Sequence, residues 1–175
     1  MRTVASEPQP GFAVWFTGLP ASGKSTIAAR AVDRLRAQGI ECVVLESDAL
    51  RREFPELGYD SAGRDLFYRT MVFLGRAFTA RGIPVVFDAT ANRRSYRDAA
   101  RTAIPRFLEI YISTPLEICL QRDPKGIYRN AQRNESSNVP GLQAGYEAPL
   151  APELTIDGSA EPADTAALQV VELLE

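Results

Sequence analysis

A strand, a glycine-rich loop and a helix follow one another near the start of the chain, and they leave little freedom in what can be built around them. The loop is Gly18-Leu19-Pro20-Ala21-Ser22-Gly23-Lys24-Ser25-Thr26, which fits G-x-x-x-x-G-K-[ST]. Phe12-Ala13-Val14-Trp15-Phe16 reads as a buried strand before it. Ile27, Ala31 and Leu35 form a helical stripe after it, and Gly39 supplies a stop. Such a loop gathers backbone N–H groups at a helix N-terminus, where the helix dipole adds to the attraction for phosphate oxygens. Gly18 and Gly23 let the backbone come close to that ligand. Gly18, Ala21, Ser22, Gly23, Lys24, Ser25 and Thr26 are therefore the expected triphosphate-binding residues. Lys24 reaches the β/γ-phosphates and Ser25 holds Mg²⁺. An ordinary Gly/Ser turn is the alternative, and the full pattern in its right context argues against it.

A length of 175 residues favours one domain and can bury a real core. Residues 1–10 hold two prolines and few apolar groups and read as a flexible tail, which leaves 11–175 as the domain. A net charge of -2 gives no global field for nucleic acid. The chain has no histidine, which excludes histidine acid/base catalysis, phosphorelay and histidine metal sites. A general base must then be a carboxylate, and the expected metal is Mg²⁺ held by oxygen. Cys42 and Cys119 stand far apart, in no metal or redox spacing, and read as free thiols. Neither a signal peptide nor a membrane-length apolar run is visible, so a cytoplasmic protein with no membrane partner is expected.

Further along, Glu41 to Leu45 reads as a second strand that ends in Glu46-Ser47-Asp48. A long helix is expected from about Ser61 to Arg81, with Phe67, Met71, Leu74 and Phe78 on one face. Ile83 to Phe87 forms a third strand ending at Asp88. A helix over Arg93 to Ala103 follows, with Asn92 as N-cap. Phe107 to Ile112 is a fourth strand, and Thr114-Pro115-Leu116-Glu117 gives a capping box with proline at the first helical position. Leu154 to Ile156 and Thr165 to Leu174 supply a last strand and helix. Strands alternating with helices predict an α/β fold: a five-stranded parallel sheet with helices on both faces and its ligands at the strand carboxyl ends.

Phosphoryl transfer needs charge neutralised at the β/γ-phosphates, Mg²⁺ and a positioned acceptor. Asp48, just past the second strand, which is expected beside the loop strand, can accept a proton from an acceptor hydroxyl, hold that hydroxyl, or cap the turn that follows. Arg51 lies one turn on and would face an anionic acceptor. Glu46 would point near the same site. Asp88 ends a strand, as a Walker B aspartate does, and would bind Mg²⁺ or its water. Arg93, Arg94 and Arg97 fit either a solvated face or acceptor contacts. Arg122-Asp123-Pro124-Lys125-Gly126-Ile127-Tyr128-Arg129 opens a basic, apolar-poor stretch (about 123–149) that reads as a mobile lid, closing over the transferred phosphate to exclude water.

Together these residues resemble the adenylylsulfate (APS) kinase family of P-loop kinases. The resemblance rests on Gly18 to Thr26, Asp48 with Arg51, Leu57-Gly58-Tyr59, Pro115 to Cys119, Arg122 to Tyr128 and Tyr146-Glu147-Ala148-Pro149, in order over about residues 12–158. The P-loop is shared by many NTPases. The Asp-Pro-Lys-Gly-Ile-Tyr lid and the Tyr-Glu-Ala-Pro segment are far more specific. The resemblance implies a single-domain P-loop kinase fold, MgATP, and phosphorylation of the 3′-hydroxyl of adenosine 5′-phosphosulfate, a small-molecule acceptor, with a homodimer as the possible assembly. It places the family's acceptor aspartate on Asp48, its acceptor arginines on Arg51 and Arg64, its acceptor ring on Tyr59, and its lid lysine and tyrosine on Lys125 and Tyr128. Lys24, Asp48 and Lys125 are the implied catalytic set, and Ser25 and Asp88 the implied metal ligands.

Departures fall on the acceptor side. Phe67 stands where the family has asparagine, Val139 where it has the ring that stacks on the acceptor adenine, Ser137 where it has a lysine, and Ala91 where it has a serine. Stacking a base on an aromatic ring is worth about 1–3 kcal/mol, so the change at Val139 should weaken adenine-bearing acceptors. The run Val85 to Asn92 is also similar to the strand-then-Asp-x-Thr pattern of polynucleotide-kinase-like enzymes. Two alternatives follow: a related kinase for another nucleotide or a sugar-like metabolite, and a non-catalytic nucleotide-binding protein. The joint presence of Lys24, Ser25, Asp48 and the lid argues against the second.

Overall fold

The computed structural model describes residues 9–133 and 138–174. Five parallel strands form one sheet: β1 (Ala13–Thr17), β2 (Val43–Glu46), β3 (Val85–Asp88), β4 (Phe107–Ile112) and β5 (Leu154–Ile156), in the order β2-β3-β1-β4-β5. The helices are α1 (Lys24–Ala37), α2 (Ser47–Glu53), α3 (Ser61–Thr79), α4 (Arg94–Ala103), α5 (Leu116–Arg122), α6 (Ile127–Arg133) and α7 (Ala163–Glu172).

All of β1 is buried, because both faces of a parallel sheet must be covered by its crossover helices. Its side chains alternate. Phe12, Val14 and Phe16 join Ile27, Ala31, Leu35 and Val170 in the layer under α1 and α7. Ala13 and Trp15 join Phe67, Met71 and Tyr96 in the layer under α3 and α4. Trp15 stacks on Phe87 of the neighbouring strand, 4.4 Å between ring centroids, at the register position that pairs the two residues. Burying each such ring contributes about 1.5–3 kcal/mol, so the centre of the sheet is its most strongly held part.

The sheet order corrects one expectation. The strand that Asp48 follows was expected beside the P-loop strand, yet β3 lies between β2 and β1. The chain leaves β1 for the far edge, returns to β3, and then passes to the other side of β1 with β4. A crevice opens at the carboxyl ends where that direction reverses, and ligands in open α/β sheets sit there. The capping expectations also change. Asn92 does not cap α4; its side-chain amide donates to Gly145 O (3.0 Å), and the N-cap is Arg93. Thr114 does not cap α5; its hydroxyl donates to Ser22 O (2.7 Å), and Pro115 is the N-cap. Both polar side chains are taken by backbone carbonyls distant in the sequence.

Candidate active site

Gly23 is the residue from which α1 starts, at φ 102, a conformation side chains rarely adopt, and no side chain caps the helix. Its first N–H groups are left to the loop above. Gly18 is required for a different reason: a Cβ there would lie 2.6 Å from Ile112 O. Ser22 is buried with its hydroxyl unpartnered among the described residues. Left-handed Ala21 (φ 61) and Gly23 turn successive amides to one side, the geometry of an anion nest.

A cavity of about 560 Å³ opens over this loop. Lys24, Ser25, Asp48, Asp88, Arg122 and Lys125 share its lining. Burial pulls the Lys24 ammonium below its ordinary pKa, while the charges of Asp88 and Asp48 oppose that shift. Asp88 ends β3 opposite Phe16 of β1, is almost fully buried, and leaves Oδ1 without a hydrogen-bond partner among the described residues. The donor set fits Mg²⁺: one orphaned buried carboxylate oxygen and the exposed Ser25 hydroxyl, with the remaining positions open to phosphate and water. Among the described residues no group of three or more carboxylates and cysteines is arranged to hold a metal on its own.

Asp48 lies in the first turn of α2, so its alternative as an N-cap does not hold; the N-cap is Glu46. Asp48 Oδ2 accepts from Lys125 Nζ at 2.6 Å, both side chains being about half exposed. Burial alone would raise the Asp48 pKa, but the hydrogen bond and charge of Lys125, with Lys24 and Arg52 behind it, bring it below the ordinary aspartate value. The same hydrogen bond raises Lys125.

The segment after α5 is tied to the P-loop. Arg122 donates to Gly158 O (2.9 Å) and Ser22 O (3.4 Å). Asp123 accepts from the amides of Tyr128 (3.2 Å) and Arg129 (2.9 Å) and so caps α6. Tyr128, expected on the acceptor, is buried with its hydroxyl on Pro20 O (3.0 Å), outside the linings of both ligand cavities.

A smaller cavity of about 180 Å³ adjoins the first and shares Asp48 with it. Arg51, Tyr59, Arg64, Asn138 and Val139 also line it. The Arg51 guanidinium sits 4.3 Å from the Tyr59 ring centroid and 3.9 Å from that of Phe67, and donates to Leu57 O (2.7 Å) and Gly58 O (3.2 Å). Phe67 is thus a core residue and also the floor beneath Arg51. Arg64 is buried, donates to Asn138 O, and has its pKa lowered by that burial. Ser137 lies outside the described residues. Arg93 pairs with Asp65 (3.3 Å) and Arg94 with Glu147 (3.7 Å) at the surface, whereas Arg97 is fully buried on Glu109 (2.6 Å). Sequence reasoning took Asn92 as a helix cap and Thr90 as part of an Asp-x-Thr pattern, and assigned neither to the pocket; both line this wall, and their place just after a strand-ending aspartate was the usable signal.

A phosphate-binding loop, a cation-ready carboxylate and a second carboxylate facing an adjoining pocket define a P-loop phosphotransferase that acts on a hydroxyl group. The profile of the family described as Adenylylsulphate kinase matches residues 10–157. The bifunctional enzyme NodQ of Azospirillum brasilense is 42% identical over 164 residues, 92% of this chain but 26% of that protein. The probable adenylyl-sulfate kinase of Pyrococcus abyssi is 33% identical over 92% of this chain and 93% of its own length. The solved structure of the Mycobacterium tuberculosis APS kinase in complex with AMPPNP and APS superimposes with a TM-score of 0.89 at 32% identity, covering 95% of this chain and 99% of that one. The chain belongs to the adenylylsulphate kinase family.

Proposed function

We propose that the chain transfers the γ-phosphoryl group of ATP to the 3′-hydroxyl of adenosine 5′-phosphosulfate. The observation that carries this reading is Asp48, which reaches both cavities: the large one that holds Lys24 and Asp88, and the small one that holds Arg51 and Arg64. The P-loop amides and Lys24 hold the triphosphate. Ser25 and Asp88 would hold Mg²⁺, which would supply charge neutralisation to the triphosphate. Arg51, Tyr59 and Arg64 seat the acceptor. Asp48 orients its hydroxyl and takes the proton as the new P–O bond forms and the bond to the ADP oxygen breaks. Lys125 and the segment around it close over the phosphate; to reach it, Lys125 releases Asp48.

An ADP-release assay with APS, other nucleotides and small sugars tests this reading. APS stimulates ADP release if it holds. Silence with APS and strong turnover with another hydroxyl compound rejects it in favour of a related acceptor, the reading that Val139 in the pocket wall favours. A cytoplasmic homodimer is the accompanying proposal. Both cysteines are free, among the described residues no helix is long and apolar enough to cross a membrane, and Leu66 and Phe73 are exposed on the outer face of α3. Sedimentation at twice the chain mass supports the dimer.

A further inference from the structure

Four successive carbonyls after β3 are held from three places: two by β1, one by α4 and one by the segment at Glu147. Ala89 O accepts from Trp15 Nε1 (3.0 Å) and Thr90 O from Thr17 Oγ1 (2.6 Å). Ala91 O accepts from Arg97 Nη1, and Asn92 O from the Glu147 amide (2.8 Å). Ala91 stands at φ 43, where an alanine is disfavoured, and its amide donates to Tyr68 Oη (3.0 Å). Strained backbone of this kind persists only where its surroundings over-determine it.

Arg97 is the centre of that restraint. It is 1% exposed, its Nε donates to Glu109 Oε1 (2.6 Å) and its Nη2 to Glu147 O (2.5 Å), with the Tyr146 ring 5.7 Å from the guanidinium. Arg101 engages the other Glu109 oxygen (3.4 Å) and joins Glu153 (2.6 Å). A buried ion pair alone is weak evidence of stability. Here the guanidinium also spends two donors on the backbone of two separate segments. What those segments carry is specific: Thr90 lines the donor and the acceptor cavity, and Asn92 lines the acceptor cavity and the chamber of about 320 Å³ beyond Arg64.

We infer that Arg97 is a positioning residue for the acceptor, one that holds the Ala91 turn in its left-handed form so that Thr90 and Asn92 shape the acceptor wall. The claim rests on the acceptor reading above. Arg97→Lys keeps the charge against Glu109 but loses the fork. With APS as acceptor, it raises the acceptor KM by about tenfold, the scale of a charge-assisted hydrogen bond, and leaves the ATP KM within about twofold. Adding Ala91→Gly recovers part of that loss, because glycine takes positive φ without the Cβ penalty. A merely structural arginine lowers the melting temperature and shifts both KM values together or neither, and that result overturns the inference. If Arg97→Lys does not fold, Glu109→Gln, which loosens Arg97 from outside both cavities, must show the same split to a smaller degree, and equal KM values overturn the claim. If the wild-type chain does not turn over APS, the acceptor reading fails by itself. Hydrogen exchange then decides on Arg97: faster exchange at residues 89–92 and Glu147 in Arg97→Lys with an unchanged P-loop supports it, and unchanged exchange at these positions refutes it.

Discussion

Asp48 and Lys125 hold each other at 2.6 Å, which sets what either can do. A carboxylate drawn below the ordinary aspartate value is ionised at neutral pH but takes a proton weakly. In the proposed mechanism Asp48 orients the acceptor while Lys125 grips its carboxylate, and the proton affinity of Asp48 would rise once Lys125 moved to phosphate. Asp48→Asn therefore lowers kcat by about 10²–10⁴-fold with ATP binding unchanged, and equal losses in kcat and ATP affinity contradict the role. Lys125→Met moves the acid limb of kcat/KM to higher pH, since burial then acts on Asp48 with less opposition. The sign for stability is the same. The Asp48 contribution is present above its unfolded pKa and is lost as pH falls through the lowered folded one; that of Lys125 is lost only as pH rises through its raised value.

At the scale of elements, helix starts show what a sequence can and cannot carry. β4 and β5 lie where alternation and composition put them, because a buried strand is a local pattern. The caps were misread because capping competes with tertiary demand. Asn92 and Thr114 have the right chemistry for a local bond, but Gly145 O and Ser22 O take it. Asp123 went unread as a cap because a lid was expected there rather than a helix. Asp123→Ala frays α6, with exchange at the Tyr128 and Arg129 amides rising about fivefold, the equivalent of about 1 kcal/mol of lost capping. The three arginines at 93, 94 and 97 were indistinguishable in the sequence, since nothing local says which of them the fold will enclose. Phe67 was legible as core from its helical spacing, but not as the surface on which Arg51 lies.

For the whole molecule, the two halves of the site differ in how firmly they are anchored. The P-loop follows β1, flanked on both sides, and Asp88 is the last residue of its neighbour β3. MgATP should therefore stabilise the fold as a unit, by about 2.7 kcal/mol at a hundredfold excess over its Kd, and Lys24→Ala should erase that gain in a thermal melt. Asp48 and Arg51 instead follow β2, which pairs on one side only, and the rest of the acceptor wall comes from α3, the turn after β3 and the segment from Asn138. This division makes the chain modular. Phe67, Ala91 and Val139 all lie outside the β1–α1 unit, so substrate choice can drift, or be redesigned by exchanging these peripheral pieces, without rebuilding the motor that spends the nucleotide.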